Sequence, residues 1–242
     1  MFTENQLSEI KKLISPEKKV VIITHYNPDG DAIGSALGLK HFLNNMGVEP
    51  TVLAPNDFPK FLKWMPDAKK VVIAEYKRKT AGEAIYKADV IFCLDFNAHN
   101  RIGILGDWLM KSWAKKILID HHQQPEDFDY VYSDVTIPAT CQMVYHFIEA
   151  LGREDLVDQN VAECLYTGIM TDTGGFRFRS TSATTHRIVA NLIEKGANPA
   201  MITSNTWDTN SVSRLHLLSL ILGRIELVKD GKVAVLYLKR EE

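Results

Sequence analysis

The stretch KVVIITHYNPDGDAIGSALG, residues 19–38, decides the fold. Its opening, KVVIIT at 19–24, is an unbroken, largely β-branched run, the pattern of a strand buried on both faces. A polar turn from His25 to Asp31 follows, and the spacing beyond it predicts a helix ending near Gly47. Strand, loop and helix in that order begin a βαβ unit.

Upstream, Thr3 with Gln6 reads as a capping box and Phe2 with Leu7 as a hydrophobic staple. Leu7, Ile10, Leu13 and Ile14 then form one helix face, stopped by Ser15-Pro16. Downstream the unit repeats, with strands predicted at 49–53, 71–73, 89–94 and 116–119 and helices at 80–88 and 104–114. Continuous apolar strands alternating with helices mean a parallel sheet sandwiched by helices. From Pro138 helical periodicity takes over, at 138–151, 159–171, 182–195 and 211–222. At the end, 224–228 and 233–238 flank Lys229-Asp230-Gly231-Lys232, a hairpin signal. A lone hairpin is marginal in water, so this one is expected to begin a further domain. The expected class is α/β: a parallel β-sheet flanked by helices, then a helical segment and a C-terminal hairpin.

Composition bounds the function. Of 242 residues, 45% are hydrophobic and 24% charged, which excludes disorder, collagen and a disulfide scaffold. Lys plus Arg number 28 against 30 for Asp plus Glu, a net charge of -2, so coating long nucleic acid by charge alone is also excluded. Cys93, Cys141 and Cys164 are odd in number and lie in apolar runs without C-x-x-C spacing. They read as buried small hydrophobes in a reducing compartment. With no membrane-length apolar run and no leader pattern, a cytoplasmic location without a membrane partner is expected.

Three of the apolar strands end alike. VVIIT runs into His25-Tyr26-Asn27-Pro28-Asp29-Gly30-Asp31, VIFCL into Asp95, and KILI into Asp120-His121-His122. In a doubly wound sheet these are carboxyl ends, so three segments deliver carboxylates and imidazoles to one crevice. Clustered carboxylates need cations to offset their repulsion and lost solvation. Carboxylate with imidazole and no thiolate suits manganese, iron(II) or magnesium, and manganese is preferred. A fourth segment, Gly168 to Gly175, places Asp172 near a helix end, with Gly174-Gly175 expected to let backbone approach a ligand. Alone, Asn27-Pro28-Asp29-Gly30 would be a surface turn, and Asp95 or Asp120 a helix cap; it is their coincidence at strand ends that carries meaning.

In this order the four segments resemble the motifs of the DHH phosphoesterase family, and within it the RecJ-like nanoRNases that also act as pAp phosphatases. The resemblance covers about residues 15–200. It implies two divalent metal ions, one held by His25, Asp29 and Asp95 and the other by Asp31, Asp95, His121 and Asp172, with Asp95 bridging. The flexible glycine between Asp29 and Asp31 is expected to let them face different ions. His122 would touch the scissile phosphate, Asp120 would orient the neighbouring imidazoles, and Arg101 would reach a phosphate oxygen, with Arg177 and Arg179 as weaker candidates. Pro138-Ala139-Thr140-Cys141-Gln142 opens a helix whose amides favour anions, and it resembles a family stretch that usually carries an acidic residue where Gln142 stands.

The implied activity is hydrolysis of short oligoribonucleotides and of adenosine 3',5'-bisphosphate (pAp) by a water that two metals activate. Pyrophosphatase or exopolyphosphatase and cyclic-dinucleotide phosphodiesterase remain alternatives. The expected organisation is a catalytic domain at 1–195, a helical linker at 196–222, and at 223–242 the start of a substrate-binding domain. A further alternative is therefore a catalytic half with little activity of its own. A homodimer is compatible with the sequence. His41, His146, His186 and His216 read as structural, His99 is left open beside Asn100-Arg101, and Trp64, Trp108, Trp113 and Trp207 read as packing.

Overall fold

The structure is a computed structural model that describes residues 2–239. The chain divides into two compact units, one through Ile202 and one from Thr203.

The first unit begins with α1 (Glu4–Leu13), whose Thr3 capping box forms: the hydroxyl accepts from Gln6 N at 3.3 Å, and the Gln6 side chain accepts from Thr3 N at 2.9 Å. The chain continues through β1 (Val20–Ile23), α2 (Gly30–Asn45), β2 (Thr51–Ala54), β3 (Val72–Ile73), α3 (Arg78–Lys87), β4 (Val90–Leu94), α4 (Ile104–Lys111), β5 (Lys115–Asp120) and β6 (Tyr130–Ser133). Helices α5 (Thr140–Leu151), α6 (Gln159–Asp172) and α7 (Ala183–Glu194) complete the layers.

The six strands form one parallel sheet in the order β3-β2-β1-β4-β5-β6. Alternate residues of β1 serve opposite cores: Val20 and Ile22 pack with α1, α2, α5 and α6, whereas Val21 and Ile23 pack with α3 and α4. Both faces are covered, which is why the strand sequences show no polar alternation. Helix α2 is buried from Gly30 through Leu43 and lies against α6. Chain direction across the sheet reverses between β1 and β4, and at such a reversal the loops splay apart and leave a crevice.

Some expectations change. Strand β6 was not anticipated: YVYS is short, only partly buried, and sits at the sheet edge beside β5. It is secured by Asp129, which accepts from Lys116 N at 3.0 Å and from Lys115 Nζ at 2.6 Å. Asp89 does the same between β4 and β1, accepting from Lys19 N at 2.8 Å and Lys18 Nζ at 3.3 Å. Helix α4 stops at Lys111 rather than 114, and Trp113, read as packing, is fully exposed at 101%. Trp207 is partly exposed, at 41%. The three cysteines are free and buried, and burial pushes their thiols up.

Helix α8 (Pro199–Thr206), also unanticipated, spans the division. The second unit contains α9 (Val212–Leu222), capped by Ser211 Oγ accepting from Arg214 N at 3.1 Å, and the antiparallel pair β7 (Glu226–Val228) and β8 (Val233–Val235). Lys229, Asp230 and Gly231 take left-handed φ values of 53°, 56° and 76°, the conformation that the Asp-Gly pair favours. The expected strand at 233–238 thus closes at Val235, and residues 240–242 lie outside the described residues. Among the described residues no helix is long and apolar enough to cross a membrane.

Candidate metal centre

The crevice at the carboxyl ends of β1, β4 and β5 collects every candidate ligand. After β1 the chain turns through Asn27 at φ 56° and enters α2, with Asp29 as N-cap: its Oδ1 accepts from Asp31 N and Ala32 N, both at 3.0 Å. Gly30 is the first residue of α2, and a Cβ there would strike Thr171 of α6. Close helix packing, rather than the expected flexibility, explains this glycine. Asp31 is one residue into the helix and buried, so the two carboxylates differ by their places at a helix start.

After β4 the chain leaves the sheet at Asp95, whose φ is 65° and which is 2% exposed. Aspartate tolerates this left-handed turn better than most residues. After β5 come Asp120, fully buried, and the two histidines. Asp172 is the last residue of α6, brought near because Gly168 lies against Asp31. Gly174, by contrast, packs on the Phe178 ring, and Gly174 and Gly175 turn the chain at φ 57° and 72°.

Three groups of side chains are placed to hold a metal: His25 with Asp29 and Asp95; Asp31 with His121 and Asp172; and Asp95 with His121 and His122. His25 Nε2 is 3.5 Å from Asp95 Oδ2 and 3.9 Å from Asp29 Oδ1. His121 Nε2 is 3.5 Å from both Asp95 Oδ1 and Asp172 Oδ2, and 3.9 Å from Asp31 Oδ2. The other ring nitrogens face acceptors. His25 Nδ1 donates to the Tyr26 carbonyl at 2.8 Å, and His121 Nδ1 donates to the Ile137 carbonyl at 3.2 Å. Such bonds fix the tautomer and leave Nε2 as the atom that could ligate.

His122 differs. Its Nδ1 donates to Asp120 Oδ1 at 2.7 Å, and its nearest approach to Asp95, 3.9 Å, is made with that same nitrogen. Asp120 Oδ2 is buried without a hydrogen-bond partner. The expected anion-binding amides of α5 are already taken, because Thr140 N donates to Asp31 Oδ2 at 2.5 Å and Cys141 N to Asp31 Oδ1 at 2.8 Å. Thr140 Oγ1 donates to Asp95 Oδ1 at 2.8 Å. Sequence reasoning quoted this segment but missed Thr140 itself; the available signal was a threonine at a helix start that its own helix does not use. Gln142 accepts from Thr185 Oγ1 at 2.8 Å.

Protonation shows how crowded this charge is. Burial opposes protonation of His25 and His121, but Asp29 and Asp95 hold the first, and Asp95 with Asp31 the second, at about 10. Burial would raise Asp95, yet the His121 and His25 bonds keep it below the usual carboxylate range. Burial and then the Asp95 charge push Asp31 well up and Asp172 to about 6. The Asp120 bond raises His122. The imidazoles thus stand in for cations, and a donor set of oxygen and imidazole nitrogen fits divalent ions.

Around the centre, Arg101 is exposed on the loop after β4, and its carbonyl accepts from Tyr26 N at 2.7 Å. Arg177 Nε donates to the Gly174 carbonyl at 2.6 Å, and Arg179 is exposed. His99 pairs with Glu126, joining the loops after β4 and β5.

A doubly wound α/β protein with clustered carboxylates and imidazoles at its switch point is what fold and site define. The chain matches the DHH family, N-terminal domain, over residues 19–169, and it belongs to that family. It is 34% identical over 199 residues to the bifunctional oligoribonuclease and PAP phosphatase NrnA of Thermus thermophilus, covering 81% of this chain and 56% of that one. It is 25% identical to the cyclic-di-AMP phosphodiesterase PdeA of Listeria monocytogenes, over 72% of this chain and 28% of that one. A crystal structure of an exopolyphosphatase-related protein from Bacteroides fragilis superposes with a TM-score of 0.95 at 39% identity, covering 99% of this chain and 71% of that one. The chain therefore spans little more than half the length of the Thermus relative.

Proposed function

We propose that this chain is a metal-dependent phosphoesterase that hydrolyses short oligoribonucleotides and adenosine 3',5'-bisphosphate. The observation that carries the reading is the convergence of His25, Asp29 and Asp95 with Asp31, His121 and Asp172 around one shared carboxylate, Asp95. His25, Asp29 and Asp95 would hold one divalent ion, and Asp31, Asp95, His121 and Asp172 a second, with manganese as first choice. Such ions, when bound, supply Lewis acidity toward phosphoryl oxygens and a more acidic water.

The chain's own residues do the rest. Asp120 anchors His122 through Nδ1, which leaves Nε2 for the scissile phosphate and for passing a proton to the departing oxygen. Arg101 meets a non-bridging phosphate oxygen from its exposed loop. The net charge of -2 suits a short substrate better than a long polyanion. The name of the Thermus relative supports the nucleotide reading. The helical stretch at 196–222 acts as a linker, and 223–242 belongs to a substrate-binding domain.

The likeness to an exopolyphosphatase-related protein favours a second reading, hydrolysis of phosphoanhydrides. One experiment separates them: the manganese-loaded chain is offered a labelled dinucleotide, pAp, a cyclic dinucleotide and polyphosphate side by side. Turnover of the dinucleotide and pAp is expected. Phosphate released from polyphosphate alone would overturn the nucleotide assignment.

A further inference from the structure

Thr140 opens α5, yet its hydroxyl serves another part of the chain. The N-cap Ala139 offers no side-chain bond to the helix. The first amides of α5 donate instead to Asp31, which lies 109 residues earlier, at the start of α2. The Thr140 hydroxyl donates to Asp95 Oδ1 at 2.8 Å, and the residue is fully buried. One residue therefore holds two carboxylates, each belonging to a different candidate ligand group.

The other donors near Asp95 are of a different kind. His25 and His121 approach it through Nε2, at 3.5 Å each, with the nitrogens a cation needs as lone pairs. A hydrogen bond made by those atoms is given up when a cation binds. The Thr140 hydroxyl has no such competing duty. A carboxylate's terminal torsion is soft, so a fixed donor decides which oxygen faces which side.

We propose that Thr140 is a positioning residue of the metal centre: its hydroxyl orients Asp95, and its N–H orients Asp31, so that both present their oxygens to incoming divalent cations. The proposal rests on the metal-centre reading above and adds a residue to it. Removing a partner that orients a ligand typically costs 10–100-fold in metal affinity.

The test uses the full chain, stripped of metal and titrated with manganese chloride by calorimetry, with retained metal measured by elemental analysis. Thr140→Val keeps the shape and the backbone N–H but loses the hydroxyl; Thr140→Ser keeps the hydroxyl and loses the methyl group. T140V is expected to bind manganese about tenfold more weakly or worse, and T140S to stay close to wild type. Should T140V not fold, Thr140→Ala against T140S poses the same contrast. Equal affinity in T140V and wild type overturns the role of Thr140 alone, as does a loss in T140S as large as that in T140V, because keeping the hydroxyl would then not preserve the affinity. No uptake by the wild-type chain would overturn the metal centre and this proposal together.

Discussion

The two edges of the sheet handle charge in opposite ways. At the amino edge, Asp89 and Asp129 each face a lysine, in pairs that are partly open to water: Lys18 with Asp89 at 3.3 Å and Lys115 with Asp129 at 2.6 Å. At the carboxyl edge, Asp31, Asp95 and Asp120 are buried to 2% exposure or less, and the ionic neighbours described for Asp31 and Asp95 are imidazoles. A paired, exposed aspartate costs little and tidies strand pairing. A buried cluster of carboxylates is expensive, and it persists where a cation offsets it. The same residue type is structural at one edge and, in the proposed metal centre, functional at the other because of burial and partner.

The largest expected effect comes from Asp95→Ala. The change is expected to remove both metal occupancies and bring activity below detection, checked by elemental analysis beside an assay. Unchanged metal content would refute the shared role of Asp95 and erase the contrast between the edges. Phe92→Ala, in the middle of β4, tests what supports both edges. The ring is fully buried and packs 6.0 Å from Phe147, so a loss of about 3–5 kcal/mol is expected in urea unfolding.

Next in size is a pH effect confined to the carboxyl edge. Without metal, His25 and His121 hold their protons up to about 10, and Asp172 up to about 6. Ligation needs these groups deprotonated, so protons compete with metal and affinity falls as pH falls. Titrations between roughly pH 6 and 8 should show affinity climbing with pH and protons released in buffers of differing ionisation enthalpy. A pH-independent constant would contradict the assignment of these ligands.

The smallest effects belong to the amino edge. Asp89→Ala and Asp129→Ala are each expected to cost about 1 kcal/mol or less and to leave metal binding unchanged. Both carboxylates are held below their ordinary range, Asp89 chiefly by the Lys19 N–H and Asp129, against the pull of burial, by Lys115. Their stabilisation is therefore present above an unfolded-state pKa of about 3.9 and is lost as pH falls below it. Acid unfolding curves of the two variants should approach the wild type at low pH. A large loss of metal affinity in either would break the distinction between the edges.

The legible parts of the fold were those whose cause is local or periodic. Continuous apolar runs marked β1, β4 and β5, the Thr3 box marked α1, and Asp230-Gly231 marked the hairpin. Strand β6 escaped because an edge strand buries little, and its anchor Asp129 lies outside the apolar run. The exposure of Trp113 escaped because a large aromatic carries no local sign of the surface it will occupy.

From the sequence alone came the class of fold, the strand ends that carry acidic and imidazole groups, and the resemblance to the DHH family, because strand burial and motif order are written along the chain. Tertiary structure alone decided that Asp31 caps a helix 109 residues away, that Thr140 grips Asp95, and that Gly30 and Gly168 exist to let α2 and α6 touch. These depend on which backbones meet in space. No pattern local to either partner encodes a contact whose energy arises only when both are buried together.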